Sequence, residues 1–199
     1  MAFLRAGNPT EWTVLQGRGV WLRPPQISDY AAWAELRTRS RAHLTPWEPA
    51  WPRDDLTKGA YRRRLKHYHR EAREDLGYAF LLFQSETDRL MGGVTLSNVR
   101  RGVTQSAMLG YWIGLPFAGQ GYMSHAVRTL LPHAFETLRL HRIEAAVQPS
   151  NGRSLGLLRR LGFVEEGLAR RYLKINGVWQ DHVMFAMLTE DWLTREVRV

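Results

Sequence analysis

The sequence predicts an α/β fold (α+β in its strand pairing): one domain on a central mixed, mostly antiparallel sheet with helices on both faces. Three observations predict it. The elements follow the order β-α-α-β-β-β-α-β-α-β-β. A buried strand, a glycine-punctuated loop and a helix follow directly on one another over residues 109–124. The chain has 199 residues, 44% of them hydrophobic, which is enough to bury one core and short for two.

The first strand is expected over 18–23, where Val20 and Leu22 alternate with polar positions ahead of Pro24 and Pro25. Residues 1–16 before it read as a flexible tail, leaving 17–199 as a single domain. Ser28 and Asp29 supply an N-cap for a helix to about Ser40. A Pro- and Trp-rich loop covers 44–55, and an arginine-rich helix follows over 57–74. Strands are expected at 78–84, 89–98 and 105–114, joined by hairpin-like turns at 85–88 and 100–102. The helix over 121–138 has an apolar stripe from Met123 to Leu138 at helical spacing. Pro132 lies inside it and is expected to bend or break it. A strand at 142–147, a helix at 151–161 and a hairpin of 164–174 with 180–188 complete the order, turning at Asn176-Gly177.

Composition narrows the function. The 28 Lys and Arg against 19 Asp and Glu give a net charge of +9, which favours phosphate-bearing or acidic partners and disfavours polycationic substrates. Without cysteine, disulfides, thiolate nucleophiles and cysteine-rich zinc sites are excluded. No apolar run reaches membrane-spanning length, and no signal peptide is expected, so the default location is cytoplasmic. No metal site is expected: His67 and His69 are two residues apart on a helix and face apart.

The chemistry concentrates in 109–124. Gly119 and Gly121 remove two Cβ atoms where the chain turns, so successive N–H groups can surround one anion. The helix that follows adds its own unpaired N–H groups and the positive end of its dipole. If the strand before it splays from its neighbour, backbone groups of Trp112 and Ile113 are left free to bond an extended ligand and polarise a carbonyl.

Thirty residues later come Asn151-Gly-Arg-Ser154 and then Leu161-Gly-Phe-Val-Glu-Glu-Gly167. With the glycine cradle, these stretches resemble the GNAT superfamily of N-acetyltransferases, and within it the RimJ/RimL branch that acetylates the N-termini of ribosomal proteins. His43 to Pro49, Ser97 to Gly102, His141 to Ile143 and Tyr172 to His182 carry the same resemblance, closest to the RimJ type. Pro116 stands where the cradle of that superfamily usually has Gln or Arg.

The resemblance implies acetyl-CoA as cofactor, held by Trp112, Ile113, Gly114, Ala118, Gly119, Gln120, Gly121, Tyr122, Met123, Ser124, Asn151, Ser154 and Arg160. Many relatives carry a tyrosine seven residues after the Asn as the acid for the leaving thiolate. Leu158 occupies that position here, and Ser154 is the candidate acid, with helix capping its other reading. Asn151 is likewise either a contact to the cofactor arm or an N-cap.

The general base is open among Glu48, Glu144 and Asp181, because Leu173 replaces the glutamate of RimL-like enzymes. Trp47, Glu48, Tyr111 and Asp181 are expected on the acceptor side. The implied acceptor is a protein N-terminus, an alanine of a ribosomal protein, attacked directly in a ternary complex. A small-molecule amine is the alternative acceptor. The basic surface also admits ribosome or RNA contact, up to an assembly factor with little turnover.

Overall fold

The computed structural model describes residues 13–196. Among them the chain forms one eight-stranded sheet and six α-helices. The strands are β1 (Leu15–Gly17), β2 (Val20–Arg23), β3 (Tyr78–Gln84), β4 (Leu90–Arg100), β5 (Ser106–Ile113), β6 (Arg142–Val147), β7 (Val164–Ile175) and β8 (Val178–Leu188). The helices are α1 (Tyr30–Arg39), α2 (Arg41–Leu44), α3 (Lys58–Arg73), α4 (Tyr122–Pro132), α5 (Gly152–Leu161) and α6 (Thr189–Glu196).

The sheet order is β1-β2-β3-β4-β5-β6-β8-β7, antiparallel throughout except between β5 and β6. Successive side chains on a strand point to opposite faces. The Phe80 ring meets His133, just beyond α4, and Ala79, Phe80 and Leu81 line a cavity with residues of α1 and α3. The helices therefore cover both faces, and the core lies in two layers on either side of β3–β5.

Four local expectations are revised. The first strand is a hairpin, β1 and β2, turning at Arg18-Gly19 because Gly19 adopts a φ of +69°. Leu15 and Gln16, expected in the tail, pair with Leu22 and Trp21, while residues 1–12 lie outside the described residues. The loop after α1 begins as helix α2 and a 3-10 turn, Thr45–Trp47. Pro132 does not stop α4: the helix runs through it and widens into a π-turn over His133–Thr137, closed by Leu138 N–H donating to His133 O at 2.9 Å. A wider turn accommodates the donor that proline lacks. Finally, α6 was not expected. Its start is legible in hindsight, since Glu190 and Asp191 fill the first turn and Asp191 accepts from Leu188 N–H at 3.1 Å.

Candidate active site

β5 and β6 pair only from Ser106 to Met108 with Arg142 to Glu144. Beyond that, β5 continues against β4, and β6 against β8, so the sheet opens between them. Gly114 N–H donates to Met91 O at 2.8 Å. Antiparallel pairs alternate between bonded and unbonded positions, so Trp112 and Gly110 spend their backbone groups on β4. Tyr111 and Ile113 turn theirs into the opening, in phase with Gln105, whose carbonyl accepts from His141 on the β6 side at 2.7 Å. The expected free pair, Trp112 and Ile113, is thus corrected to Tyr111 and Ile113. The Trp112 contribution is its indole, beneath the Arg37 guanidinium at 5.0 Å.

The opening leads into a cleft of about 740 Å3. One wall is the cradle. Gly119 and Gly121 adopt φ values of +78° and +85°. A Cβ at Gly119 would meet nothing within 4 Å, and one at Gly121 only His125, at 4.0 Å. The two positions need glycine for backbone sign, and the space a Cβ would take is open. Among the described residues, the six consecutive N–H groups of residues 119–124 donate to no protein acceptor. The first three helical N–H groups of α4 are among them, so an anion here meets a row of donors and the helix dipole.

Ala118, Tyr122, Met123 and Ser124 line the same cleft. Gly114 and Gln120 do not. A Cβ at Gly114 would sit 2.4 Å from Leu36 Cδ1, so that glycine serves packing against α1. The Gln120 amide donates to Pro116 O at 2.8 Å, leaving its backbone N–H as its part of the cradle.

The facing wall is the start of α5. Asn151 Oδ1 accepts from Ser154 N–H at 3.2 Å and caps the helix. With the cap supplied by Asn151, the Ser154 hydroxyl is released from that duty and lines the cleft. Beside it lies Tyr111, whose buried hydroxyl has no hydrogen-bond partner among the described residues. Burial pushes that phenol up to about 12, and the neighbouring Ser154 hydroxyl acts in the opposite direction. Tyr111 therefore stays protonated at any physiological pH. Arg160 reaches the cleft, whereas Arg159 is paired with Glu165 at 2.7 Å.

Sequence reasoning missed His43 and Arg153, both in the lining. Burial first, then the charge of Arg153, lowers the His43 pKa and keeps its imidazole neutral near pH 7. The signal for Arg153 was present: it sits between Asn151 and Ser154 at the start of α5.

On the acceptor side, Trp47 and Glu48 line the cleft. Their loop is tied down twice, by Gln148 donating to Pro46 O at 3.1 Å and by Asn176 N–H donating to Glu48 O at 3.0 Å. Glu48 has both carboxylate oxygens engaged. Oε1 accepts from Arg37 at 2.8 Å, and Oε2 accepts from Arg37 and from Trp51 Nε1, each at 2.7 Å. Taking a proton there would break a bidentate pair, which makes Glu48 an anchor for the wall.

Asp181 is not brought into the cleft. It accepts from Arg171 N–H at 2.7 Å across the irregular stretch of the β7–β8 hairpin. Glu144 is likewise held by Arg100 and Arg142 outside the cleft. Among the described residues lining the cleft, Glu48 is the one carboxylate.

Comparison with known proteins agrees with this geometry. The family model of an acetyltransferase (GNAT) domain matches residues 20–164. The chain is 36% identical over 168 residues to the ribosomal protein uS5-alanine N-acetyltransferase of Escherichia coli, covering 83% of this chain and 87% of that one. It superposes on the ribosomal-protein-S5-alanine acetyltransferase of Vibrio fischeri with a TM-score of 0.83 at 32% identity, covering 90% and 98% of the two chains. The structure of Mycobacterium smegmatis RimJ in complex with CoA-disulfide gives the same TM-score at 34% identity, covering 90% and 87%. A strand splay, a glycine cradle and a matching domain model together place the chain in the GNAT family of N-acetyltransferases, to which it belongs.

Proposed function

We propose that this enzyme moves the acetyl group of acetyl-CoA to the α-amino group of a polypeptide, an alanine at the N-terminus of a ribosomal protein, in a ternary complex. The observation that carries the reading is the cleft itself: a row of six free N–H groups at one end, the opened strand edge along its length, and Ser154 at the other wall. These residues fit a pyrophosphate-bearing thioester. When bound, acetyl-CoA supplies an acyl carbon open to attack by an amine.

The roles of the chain's own residues follow. The N–H groups of residues 119–124 hold the pyrophosphate, with Arg160 and Arg153 adding positive charge. Backbone groups of Tyr111 and Ile113 align the arm and polarise the carbonyl oxygen. Ser154 supports the departing sulfur with a proton, with the neutral Tyr111 phenol beside it. A thiol of pKa near 8.5 is already a fair leaving group, so this contribution is modest.

A polypeptide α-amine suits a cleft whose one carboxylate is committed to Arg37. An α-amino group titrates near 8, so about a tenth is neutral at pH 7, whereas lysine titrates near 10.4. Weak base machinery suffices for the first and not for the second. The relatives named for acetylation of a ribosomal-protein S5 alanine support this choice of acceptor, and a ribosomal acceptor is consistent with a cytoplasmic location.

A ribosomal acceptor also agrees with the surface of α3. Arg62, Lys66, Arg70 and Arg73 are exposed at helical spacing, and none forms an ion pair among the described residues. Such a stripe fits a phosphate backbone.

The test is incubation with acetyl-CoA and a panel of ribosomal N-terminal peptides and small amines, read by mass spectrometry. Ala-initiated peptides should gain one acetyl group at the terminus. Ser154→Ala should lower kcat about tenfold or less with cofactor affinity unchanged within a few-fold. Acetylation of small amines alone would overturn the polypeptide reading.

A further inference from the structure

Across Glu48 and Trp112 from the cofactor cleft lies a second cavity of about 370 Å3, between the α1–α3 side and the face of β3–β5. Trp33, Trp51, Tyr61 and Tyr68 supply aromatic walls. Two charged side chains on its lining are almost fully buried, Arg37 at 6% exposure and Asp55 at 9%. Each is fixed on one side and unsatisfied on the other. Arg37 gives its two terminal nitrogens to Glu48, and its Nε is left without a partner among the described residues. Asp55 Oδ1 accepts from Arg64 at 2.7 Å, and its Oδ2 is left without a partner among the described residues.

Buried polar atoms without partners are rare in native interiors because desolvation is not recovered. Here one is a donor only and the other an acceptor only. A ligand that satisfies both must offer an acceptor and a donor. A further cation is not called for, since the Arg37 and Arg64 guanidiniums already lie over Trp51 and Trp33 at 4.2 and 5.3 Å. A peptide backbone carries both groups at every residue; a simple amine, its nitrogen directed to the thioester, has none to spare.

We propose that this cavity binds the acceptor polypeptide immediately behind its amino terminus. One backbone N–H donates to Asp55 Oδ2 and a backbone carbonyl accepts from Arg37 Nε. The enzyme thereby selects polypeptides over free amines by their main chain. The proposal deepens the N-terminal reading above and rests on it.

The experiment compares kcat/KM for a short Ala-initiated peptide with two isosteres in which the first or the second backbone N–H is replaced by an ester oxygen. Wild type and Asp55→Ala are both assayed. Wild type should lose about tenfold or more on one of the esters, because a buried carboxylate oxygen loses its donor. Asp55→Ala should act more slowly on the peptide and treat that ester and the peptide alike. The ester also changes the basicity of the amine, and the variant-to-wild-type ratio cancels that effect.

Wild type acting within twofold on all three substrates would overturn the subsite, a result that needs no variant to fold. So would Asp55→Ala slowing all three by one factor, which is the signature of merely anchoring Arg64. A wild type that acetylates small amines and no peptide would instead overturn the N-terminal reading, and the subsite with it.

Discussion

Gly119 and Gly121 sit at φ values that L side chains rarely adopt, with open cleft where a side chain would project. Valine at either place costs about 1–2 kcal/mol in backbone strain and projects its branches toward the anion site. At a hundredfold excess over Kd, acetyl-CoA should stabilise the wild type by roughly 2.7 kcal/mol. That is about 5–10 °C in melting temperature for a chain of this size. Gly119→Val and Gly121→Val should melt a few degrees lower and lose the ligand-induced rise, as read by calorimetry with and without ligand. A full rise in both variants would remove the cradle from the binding site. These glycines are legible in sequence because a strand, a turn and a helix start are local. Asp181 was misleading for the complementary reason: its carboxylate serves a backbone irregularity that no sequence spacing announces.

The π-turn after α4 carries a second consequence. His133 is buried within it, edge-on to Phe80 at 5.8 Å, with Nε2 unpartnered among the described residues. Burial lowers its pKa from 6.5. The unfolded chain then binds a proton as pH falls through about 6.5 while the folded chain does not, so acid favours unfolding. Stability should decline from there down to the folded pKa, by at most about 1.4 kcal/mol per pH unit for this one group. His43 shifts in the same direction, so the measurement is a comparison. Urea unfolding of wild type and His133→Gln between pH 5 and 8 should show a shallower acid slope in the variant. Parallel slopes would mean that another group dominates. Pro132 hinted at a disturbed helix in the sequence. That the disturbance is a wide turn holding a neutral histidine depended on packing against β3.

At the scale of the molecule, the net charge of +9 is not spread evenly. Many arginines are consumed in ion pairs, such as Arg23–Asp29, Arg37–Glu48 and Arg64–Asp55, whereas Arg62, Lys66, Arg70 and Arg73 stay exposed along α3. If the acceptor is met on a ribosomal particle, these four should supply attraction that salt screens. Replacing all four with alanine should leave acetylation of a free peptide within about twofold, since none lines either cavity. Acetylation of the particle-bound acceptor should fall, and its dependence on salt should flatten. Equal loss on both substrates would place the effect in folding rather than docking.

Sequence by itself determined the family, the central run of strands and helices from β3 to β8, the glycine turn before α4 and the Asn151–Ser154 helix start. Each is written in a contiguous stretch whose backbone conformation follows from local periodicity, glycine and capping chemistry. Only the tertiary structure decided what faces what. It split β5 from β6 after three pairs and set Tyr111 beside Ser154, 43 positions away in the chain. It closed Arg37 onto Glu48, turning one of the three base candidates into a wall. Such partners are chosen by burial and long-range packing, where an unpaired polar group is costly and local sequence has no say.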